Sequence, residues 1–461
     1  MLTTGGHGLD LQDLRSRLCG TVVAPEDPSW DDARQAWNLA VDQRPALVAM
    51  PENVDDVVAI VDFARANGLR VAPQGTGHNA AAYASLERTV LVKTSQMKGV
   101  AIDAAGSRAR VAAGTIWAEV TGPASEHGLA PLAGSSPDVG VVGYTLGGGL
   151  SWLSRRHGLA ANSVVAIEIV TADGKIVRCD RDHEPGLFWA LRGGGGSFGI
   201  VTAIEFVLYP AAQVYAGAML WPWERAAEVL NRYVEWCRIA PDAISTSVRL
   251  LQVPPMPDIP EALQGRDFVA IDGAYLGDEA AASAVLAPLR ALEPEFDMFA
   301  SVPAAALSHI HMDPERPVPA MGDGMILDRV TPAAIDALLE AVGPGSGSPL
   351  LSVELRQLGG AIGVPPSDHG ALAKIGGEFA LFAVGIPMDE AVAGAIAAYL
   401  DGLTAALDPW DAGRRYLNFT ERPSDAREFF TEAALVRLQA VKLAYDPAGM
   451  FLANHPVDAT A

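Results

Sequence analysis

The sequence predicts a two-domain α+β protein, and three observations carry that reading. Between residues 45 and 210, short β-branched runs alternate with glycine-rich turns and few helices, the texture of a sheet domain rich in antiparallel pairing. Past Tyr209-Pro210, helices and longer strands take over, and the C-terminal segment changes character once more. A chain of 461 residues exceeds what one core usually serves, so a boundary is expected near residue 212.

The elements follow in order. Asn53 caps a helix whose Val54, Val57, Val58 and Val61 share a face, and Gly68 ends it. Residues 69–72 read as a buried strand, as do 90–92 and 109–111. Asp173-Gly174, between strands at 164–171 and 176–177, signals a hairpin. A helix over 185–192 leads through a glycine run into the β-branched strand 200–208. In the second half, 223–237 and 278–292 read as helices, and 268–275 as a strand. The Gly/Ser/Pro turn 343–349 precedes another strand over 350–358. Near the end, a strand over 415–420 is expected before a helix with Leu435, Leu438 and Val441 on one stripe, which Asp446-Pro447 stops.

Composition narrows the function classes. A net charge of −22 argues against nucleic-acid backbones and anionic membrane surfaces, which need clustered Lys and Arg. The three cysteines, Cys19, Cys179 and Cys237, are too widely spaced for a disulfide framework or a cysteine zinc site, and fit a reducing cytoplasm. Residues 1–20 show no basic segment followed by an apolar run, and no stretch is expected to span a bilayer.

The most informative segment is Pro73-Gln74-Gly75-Thr76-Gly77-His78-Asn79. Its glycines let backbone N–H groups converge on an anion, and His78 stands beside whatever they hold. Gly194-Gly195-Gly196-Ser197-Phe198-Gly199 has the spacing of a dinucleotide-binding turn and also spells Gly-x-Ser-x-Gly. Both motifs must follow a strand and open a helix, and here a helix precedes and a strand follows, so neither a Rossmann site nor a serine hydrolase is expected. His309-x-His311 has metal-ligand spacing but no accompanying ligand set, so no metal is expected. Glu354 and Arg356 share one face of their strand, with Gln357 on the other as a rival should the register be reversed. By the same alternation, Tyr416 and Asn418 share a face of the 415–420 strand.

In order along the chain, Gln74-Gly75-Thr76-Gly77-His78, Ser135-Ser136-Pro137-Asp138-Val139-Gly140-Val141-Val142-Gly143 with Gly147-Gly148-Gly149, and Gly158-Leu159-Ala160-Ala161-Asn162 resemble the berberine-bridge-enzyme-like flavoproteins. These belong to the FAD-binding superfamily typified by vanillyl-alcohol oxidase and p-cresol methylhydroxylase (PCMH). Leu191–Thr202, Tyr416-Leu417-Asn418-Phe419, Tyr445-Asp446-Pro447, Phe451 and Asn454 extend the resemblance over nearly the whole chain. It implies a PCMH-type FAD-binding domain over 1–212 and 412–461. A substrate domain over 213–411 would carry an antiparallel sheet covered by helices.

The resemblance implies FAD bound covalently through its 8α carbon to His78. Its other contacts would come from Gln74, Gly75, Thr76, Gly77 and Asn79; from Ser135, Ser136, Val139, Gly140, Gly143, Tyr144 and Gly149; from Gly199 and Val201; and from Tyr416, Asn418 and Asn454. Many relatives carry a second link through a cysteine where this chain has Ser136, so single attachment is expected. Val139 resembles the position that controls oxygen access, which points to an oxidase. Tyr416 would then accept a substrate proton, with Glu354 assisting; that role requires a lowered phenol pKa. Arg249, Trp152, Arg356 and Gln357 are the candidate substrate contacts. The substrate would be a small alcohol, amine or specialised metabolite, with O2 as electron acceptor. A flavin-dependent oxygenase and a ligand-sequestering flavoprotein share these motifs and stay open.

Overall fold

The structure, a computed structural model, describes residues 9–257 and 259–459; part of the stretch read for a leader therefore lies outside the described residues. It is α+β, as the sequence predicts. A mixed four-stranded sheet is built from Thr21–Val23, Leu47–Met50, Thr89–Lys93 and Arg70–Gln74, in that spatial order. The helix Val54–Ala66 covers it. Asn53 caps that helix by accepting from the Asp56 backbone N–H, and Gly68 leaves it at φ +61°. A five-stranded antiparallel sheet follows, with Ile200–Val207 at its centre and the hairpin Val164–Val170/Ile176–Asp180 on one side.

The third sheet has eight strands, all antiparallel and all between residues 213 and 385. Its four central strands lie in the order Asp267–Tyr275, Ile244–Gln252, Ser352–Gln357, Phe379–Gly385. Alternation divides their side chains. Val248, Leu250, Val269, Ile271, Val353 and Leu355 pack beneath the helices Ala226–Cys237, Glu279–Arg290, Pro332–Val342 and Glu390–Leu407 in one continuous core. The opposite face carries Ser247, Arg249, Asp272, Glu354 and Arg356 and looks toward the first two sheets. Residue 212 lies between the short strand Tyr209–Pro210 and the first strand of this large sheet, Gln213–Pro222.

Two expectations need correction. Residues 390–410 are long and apolar enough, at a mean hydropathy of 1.3, to pass for a membrane span. Alanine supplies much of that hydropathy; the long apolar side chains, Ile396, Leu400, Leu403 and Leu407, form one stripe buried against the large sheet. Residues 415–420 are not a strand. Leu417–Phe419 is a 3-10 turn, entered through extended Tyr416 and tied by Phe419 N–H donating to the Tyr416 carbonyl. Asn79 Nδ2 donates to the Leu417 and Thr420 carbonyls and holds this turn over the His78 loop.

The C-terminal helix Glu432–Tyr445 returns to the first domain. Buried Lys442 donates to the carbonyls of Ser197 and Phe451 and to Asp446 Oδ2 at 2.6 Å. Asp446 in turn accepts the backbone N–H groups of Met450 and Phe451. One ammonium thus sews the glycine turn at 195–197 to the terminal segment, which pairs with the first sheet at Val71. Lys442→Met is expected to destabilise the protein by about 3 kcal/mol, because it strands a buried carboxylate and two carbonyls. A urea midpoint unchanged from wild type would refute that role.

Candidate active site

One cavity of about 1300 Å³ lies between the large sheet and the first domain. Its first half is a glycine-lined cradle. Gly75 and Gly143 present open space where a Cβ would stand, so their backbones face the cavity directly. Gly195 N–H bonds to the Leu146 carbonyl, which joins the two later glycine clusters into one wall. Buried Gln74 Nε2, Asn79 Oδ1 and Tyr144 OH have no hydrogen-bond partner within the chain. Such atoms are costly unless a ligand meets them. The cradle therefore suits an elongated, polar, anion-bearing ligand.

His78 stands at the open end of this cradle. Its ring stacks on Trp37 with centroids 4.0 Å apart, and Nδ1 lies 2.7 Å from the Thr76 hydroxyl oxygen. Nε2 faces Asp138 Oδ1 at 3.4 Å. Asp138 also accepts from Ser136 Oγ at 2.8 Å and from Trp37 Nε1. Burial works against its charge, but His78, Ser136 and Trp37 outweigh burial and keep the carboxyl below its ordinary value. Asp138 lies inside the 135–143 segment, yet neither alternation nor spacing marks it as a site residue; its carboxylate faces the imidazole.

The second half is the polar face of the large sheet. Glu354 and Arg356 lie two apart on their strand and pair at 2.5 Å inside the cavity, away from the surface. Across the register, Arg249 stands opposite Glu354, and Ser247 lies between Asp272 and Arg356. Asp272 is fully buried and accepts from Ser247 Oγ, from Arg249 at 2.5 Å and from His311 Nδ1 at 2.8 Å. His311 Nε2 points to Glu354 at 3.6 Å. Burial opposes the charge of Glu354, yet Arg356 and His311 prevail and hold its carboxyl down to about 2. Burial and Arg249 oppose protonation of His311, but Asp272, Asp313 and Glu354 prevail and lift it to about 9. At neutral pH the cluster is thus an imidazolium and two guanidiniums interleaved with carboxylates.

These shifts fix a stability window. The raised His311 contributes fully below its unfolded value of 6.5, and that contribution is lost as pH rises through about 9. The lowered Glu354 contributes fully above 4.5 and is lost as pH falls toward about 2. Stability is expected to plateau between those unfolded values and to fall on the order of 3 kcal/mol by pH 9 from His311. His311→Gln should flatten the alkaline limb in urea titrations; an unchanged limb would contradict the assignment.

The sequence-derived residues distribute as follows. The loop 74–79, Ser135, Ser136, Val139, Gly140, Gly143, Tyr144, Gly199, Val201, Arg249, Glu354, Arg356, Tyr416, Asn418 and Asn454 all line the cavity. Gly149 does not. It packs against Tyr144 and Ala160, where a Cβ would come within 2.5 Å of the tyrosine ring. Trp152 lies behind the wall, with the Arg356 guanidinium 5.0 Å over its ring. Gln357 points to the helix layer, accepting from Thr246 Oγ1 and donating to the Cys237 carbonyl, because strand alternation puts it opposite Arg356.

Tyr416 sits buried on the cavity wall. Burial raises its phenol above the ordinary value, and the bonds from Asn418 Nδ2 and the Gly149 and Leu150 N–H groups do not offset this. The groups around it therefore do not by themselves lower the phenol as a proton acceptor requires. Asn418 still meets Tyr416, but through the 3-10 turn and not through a shared strand face.

Asp272 was not singled out in the sequence, and His311 was weighed there only as half of a metal-spaced pair. A signal was present for Asp272, a lone carboxylate inside the apolar run Phe268–Tyr275 that burial obliges to find a cation. The spacing of His311 from His309 pointed to the wrong chemistry, since its partners Asp272 and Glu354 are met only when its loop folds over the sheet. Its neighbour His309 turns outward to Glu315.

Comparison with known proteins places this geometry. A family model described as an FAD binding domain matches residues 45–180. Among curated proteins, (R)-6-hydroxynicotine oxidase of Paenarthrobacter nicotinovorans is 36% identical over 203 residues, 44% of each chain. Chitooligosaccharide oxidase of Gibberella zeae is 27% identical over 57% of this chain and 51% of that protein. The chain thus aligns with about half the length of the curated relatives it matches. Among solved structures, 6-hydroxy-D-nicotine oxidase of Arthrobacter nicotinovorans superposes with TM-score 0.82 at 26% identity, covering 96% of this chain and 98% of that one. Wild-type BBE-like 1 of Physcomitrella patens superposes with TM-score 0.85 at 20% identity, covering 98% of this chain and 99% of that one. The unpartnered polar atoms and open glycines of the cradle fit FAD, a long polar molecule with a central pyrophosphate.

Proposed function

We propose that this chain, which carries an FAD binding domain and the fold of the berberine-bridge-enzyme-like flavoproteins along nearly its whole length, is an FAD-linked oxidase of a small organic substrate. One observation carries the reading. A single cavity joins the glycine cradle bearing His78 to the sheet face bearing Glu354, Arg356 and His311. The flavin, when bound, supplies acceptance of two electrons from a substrate C–H and their return to O2 as hydrogen peroxide.

The chain's own residues supply binding, orientation and proton transfer. Glu354 is assigned the substrate proton, with Tyr416 the other candidate acceptor on the same cavity wall. Arg356 and His311 fix that carboxylate from two sides and exclude alternative rotamers. The Tyr416 phenol, held by Asn418, orients the substrate oxygen. His78 is the covalent anchor, and Ser136 offers no thiol for a second one. Among the described residues no cysteine lines the cavity. Val139, on the cavity wall, leaves room for O2 to approach.

Anaerobic mixing with candidate alcohols and amines tests the oxidase reading. A compound that bleaches the flavin, with stoichiometric peroxide on re-aeration, supports it; tight ligands that never bleach it favour sequestration, and oxygen-18 in product favours an oxygenase. Asp138→Asn is expected to preserve the fold while slowing covalent attachment about tenfold, since it weakens the carboxylate that orients the imidazole. Acid-precipitable flavin measured against time after adding FAD to apoprotein reads this directly, and an unchanged rate would exclude Asp138.

A further inference from the structure

A second carboxyl faces the cavity, away from the charged cluster of the sheet. The outermost strand on that side, Met321–Leu327, begins Met-Gly-Asp-Gly, and alternation puts Gly322 and Gly324 on the cavity face. Neither has room for a side chain. A Cβ on Gly324 would come within 2.6 Å of the Phe419 carbonyl oxygen, and one on Gly322 within 2.9 Å of the Phe382 ring. The chain that leaves the 3-10 turn therefore lies directly on the strand, and Glu421 Oε2 accepts from Gly322 N–H at 2.9 Å. Glu421 lines the cavity, as do Phe382 and Phe419, whose ring centroids are 5.2 Å apart.

This carboxyl has no counter-ion among the described residues. The nearest guanidiniums are engaged elsewhere: Arg415 turns to Asp323 and Glu428, and Arg422 to Asp323 and Asp401. The cationic groups of the sheet, Arg249, Arg356 and His311, pair with Asp272 and Glu354 instead. Burial, helped by the neighbouring Asp323, outweighs the Gly322 bond and pushes the Glu421 carboxyl up to about 7. The register sets Gly322 two strands and two residues from Glu354, about 12 Å between Cα positions. An uncompensated carboxylate beside aromatic rings is complementary to an organic cation. It neutralises the charge, while the rings cover the apolar substituents and attract the cation to their faces.

We infer that Glu421, with Phe382 and Phe419, is the binding site for an ammonium group of the substrate, set apart from the carbon that is oxidised beside Glu354. The substrate class is a substituted ammonium whose reactive C–H is separated from the nitrogen by an extended linker. The inference rests on the oxidase reading for which carbon reacts; the cation site does not depend on it. Between pH 6 and 8 the titrating groups around the site leave Glu421 as the one that changes. His311 is lifted to about 9 and Glu354 held to about 2, while burial keeps His455, which meets the Thr420 carbonyl, down to about 4. Asp323 lies against Glu421 on the strand, and Asp313, Glu315 and Arg316 carry the charge of the loop over the cavity.

Calorimetric titration of the flavin-loaded protein with 6-(trimethylammonio)hexan-1-ol and its neutral isostere 7,7-dimethyloctan-1-ol tests it. The quaternary nitrogen keeps its charge at every pH, so a pH dependence of the difference belongs to the protein. At pH 8 the ammonium is expected to bind at least about tenfold tighter than the isostere, and that preference to shrink about tenfold by pH 6 as Glu421 takes up a proton. Glu421→Gln keeps an acceptor for Gly322 N–H and should erase both the preference and its pH dependence. Phe382→Leu should cut the preference about threefold, and it reads the site even if the first variant does not fold. Equal binding of the two probes by the wild type, or a preference that either folded variant leaves intact, overturns the inference. Under anaerobic mixing the six-carbon ammonium should bleach the flavin faster than 2-(trimethylammonio)ethanol, which is too short to reach both groups; the reverse order also overturns it. Glu421-dependent binding with no bleaching by any probe would leave the cation site standing and sink the oxidase reading. Bleaching by the neutral isostere alone would do the reverse.

Discussion

Glu354→Gln is expected to lower kcat/KM by about a hundred- to a thousandfold, with the loss falling mainly on kcat. The effect is large because Glu354 lines the cavity as a carboxylate that Arg356 and His311 keep ionised at neutral pH. General-base assistance is worth about 10²–10⁴ in rate, and glutamine keeps the shape while removing the acceptor for a proton. The flavin absorbance should be unaltered, since Glu354 lies on the substrate-facing sheet and not on the glycine cradle. Tyr416→Phe is the informative partner. A protonated, positioning phenol should cost less than the carboxylate does, whereas a loss exceeding that of Glu354→Gln would return the proton-acceptor role to tyrosine. Anaerobic stopped-flow reduction of the flavin separates the two, and a loss below tenfold for Glu354→Gln would remove Glu354 from the chemistry.

His78→Ala is expected to abolish acid-stable flavin altogether. Wild-type protein precipitated in acid should give a yellow pellet whose flavin peptide contains His78; the variant should give a colourless pellet and free FAD in the supernatant. Ser136 stands where a second attachment would need a thiol, and Cys19, Cys179 and Cys237 all lie away from the cavity, so nothing is left to take over. FAD should still bind the variant, because the cradle formed by Gly75, Gly143 and the 195–196 turn does not depend on the imidazole. Retention of colour in the variant pellet would show another anchor. A colourless wild-type pellet would end the covalent assignment itself.

Local chemistry made much of this protein legible from its sequence. The Asn53-capped helix, the Asp173-Gly174 hairpin and the helix–glycine–strand order at 185–207 follow from capping, turn preference and β-branching, all of which act over a few residues. So does the glycine loop that ends in His78, and so does the pairing of Glu354 with Arg356, which strand alternation puts on one face. Where a reading leaned on the wrong local geometry it failed. Tyr416 and Asn418 do meet, but a 3-10 turn pinned by Asn79 brings them together.

Which face of a strand looks into a cavity is a different kind of question. Alternation sorts Gln357 from Arg356 but does not say which side the helices cover; packing of the Leu355, Val353 and Val248 face beneath four helices decided that. His311 acquires its partners only because a loop folds over the sheet and places it between Asp272 and Glu354, 39 and 43 positions away in the chain. The ionisation of Tyr416, Glu354 and His311 is likewise a property of burial and assembled neighbours, since desolvation and charge–charge attraction depend on distances that only the fold sets. The sequence by itself determined what cradle the chain builds and which residue stands at its mouth. Tertiary structure alone decided which charged groups meet on the facing sheet, because their distances exist only once the strands and the loop bearing His311 are packed together.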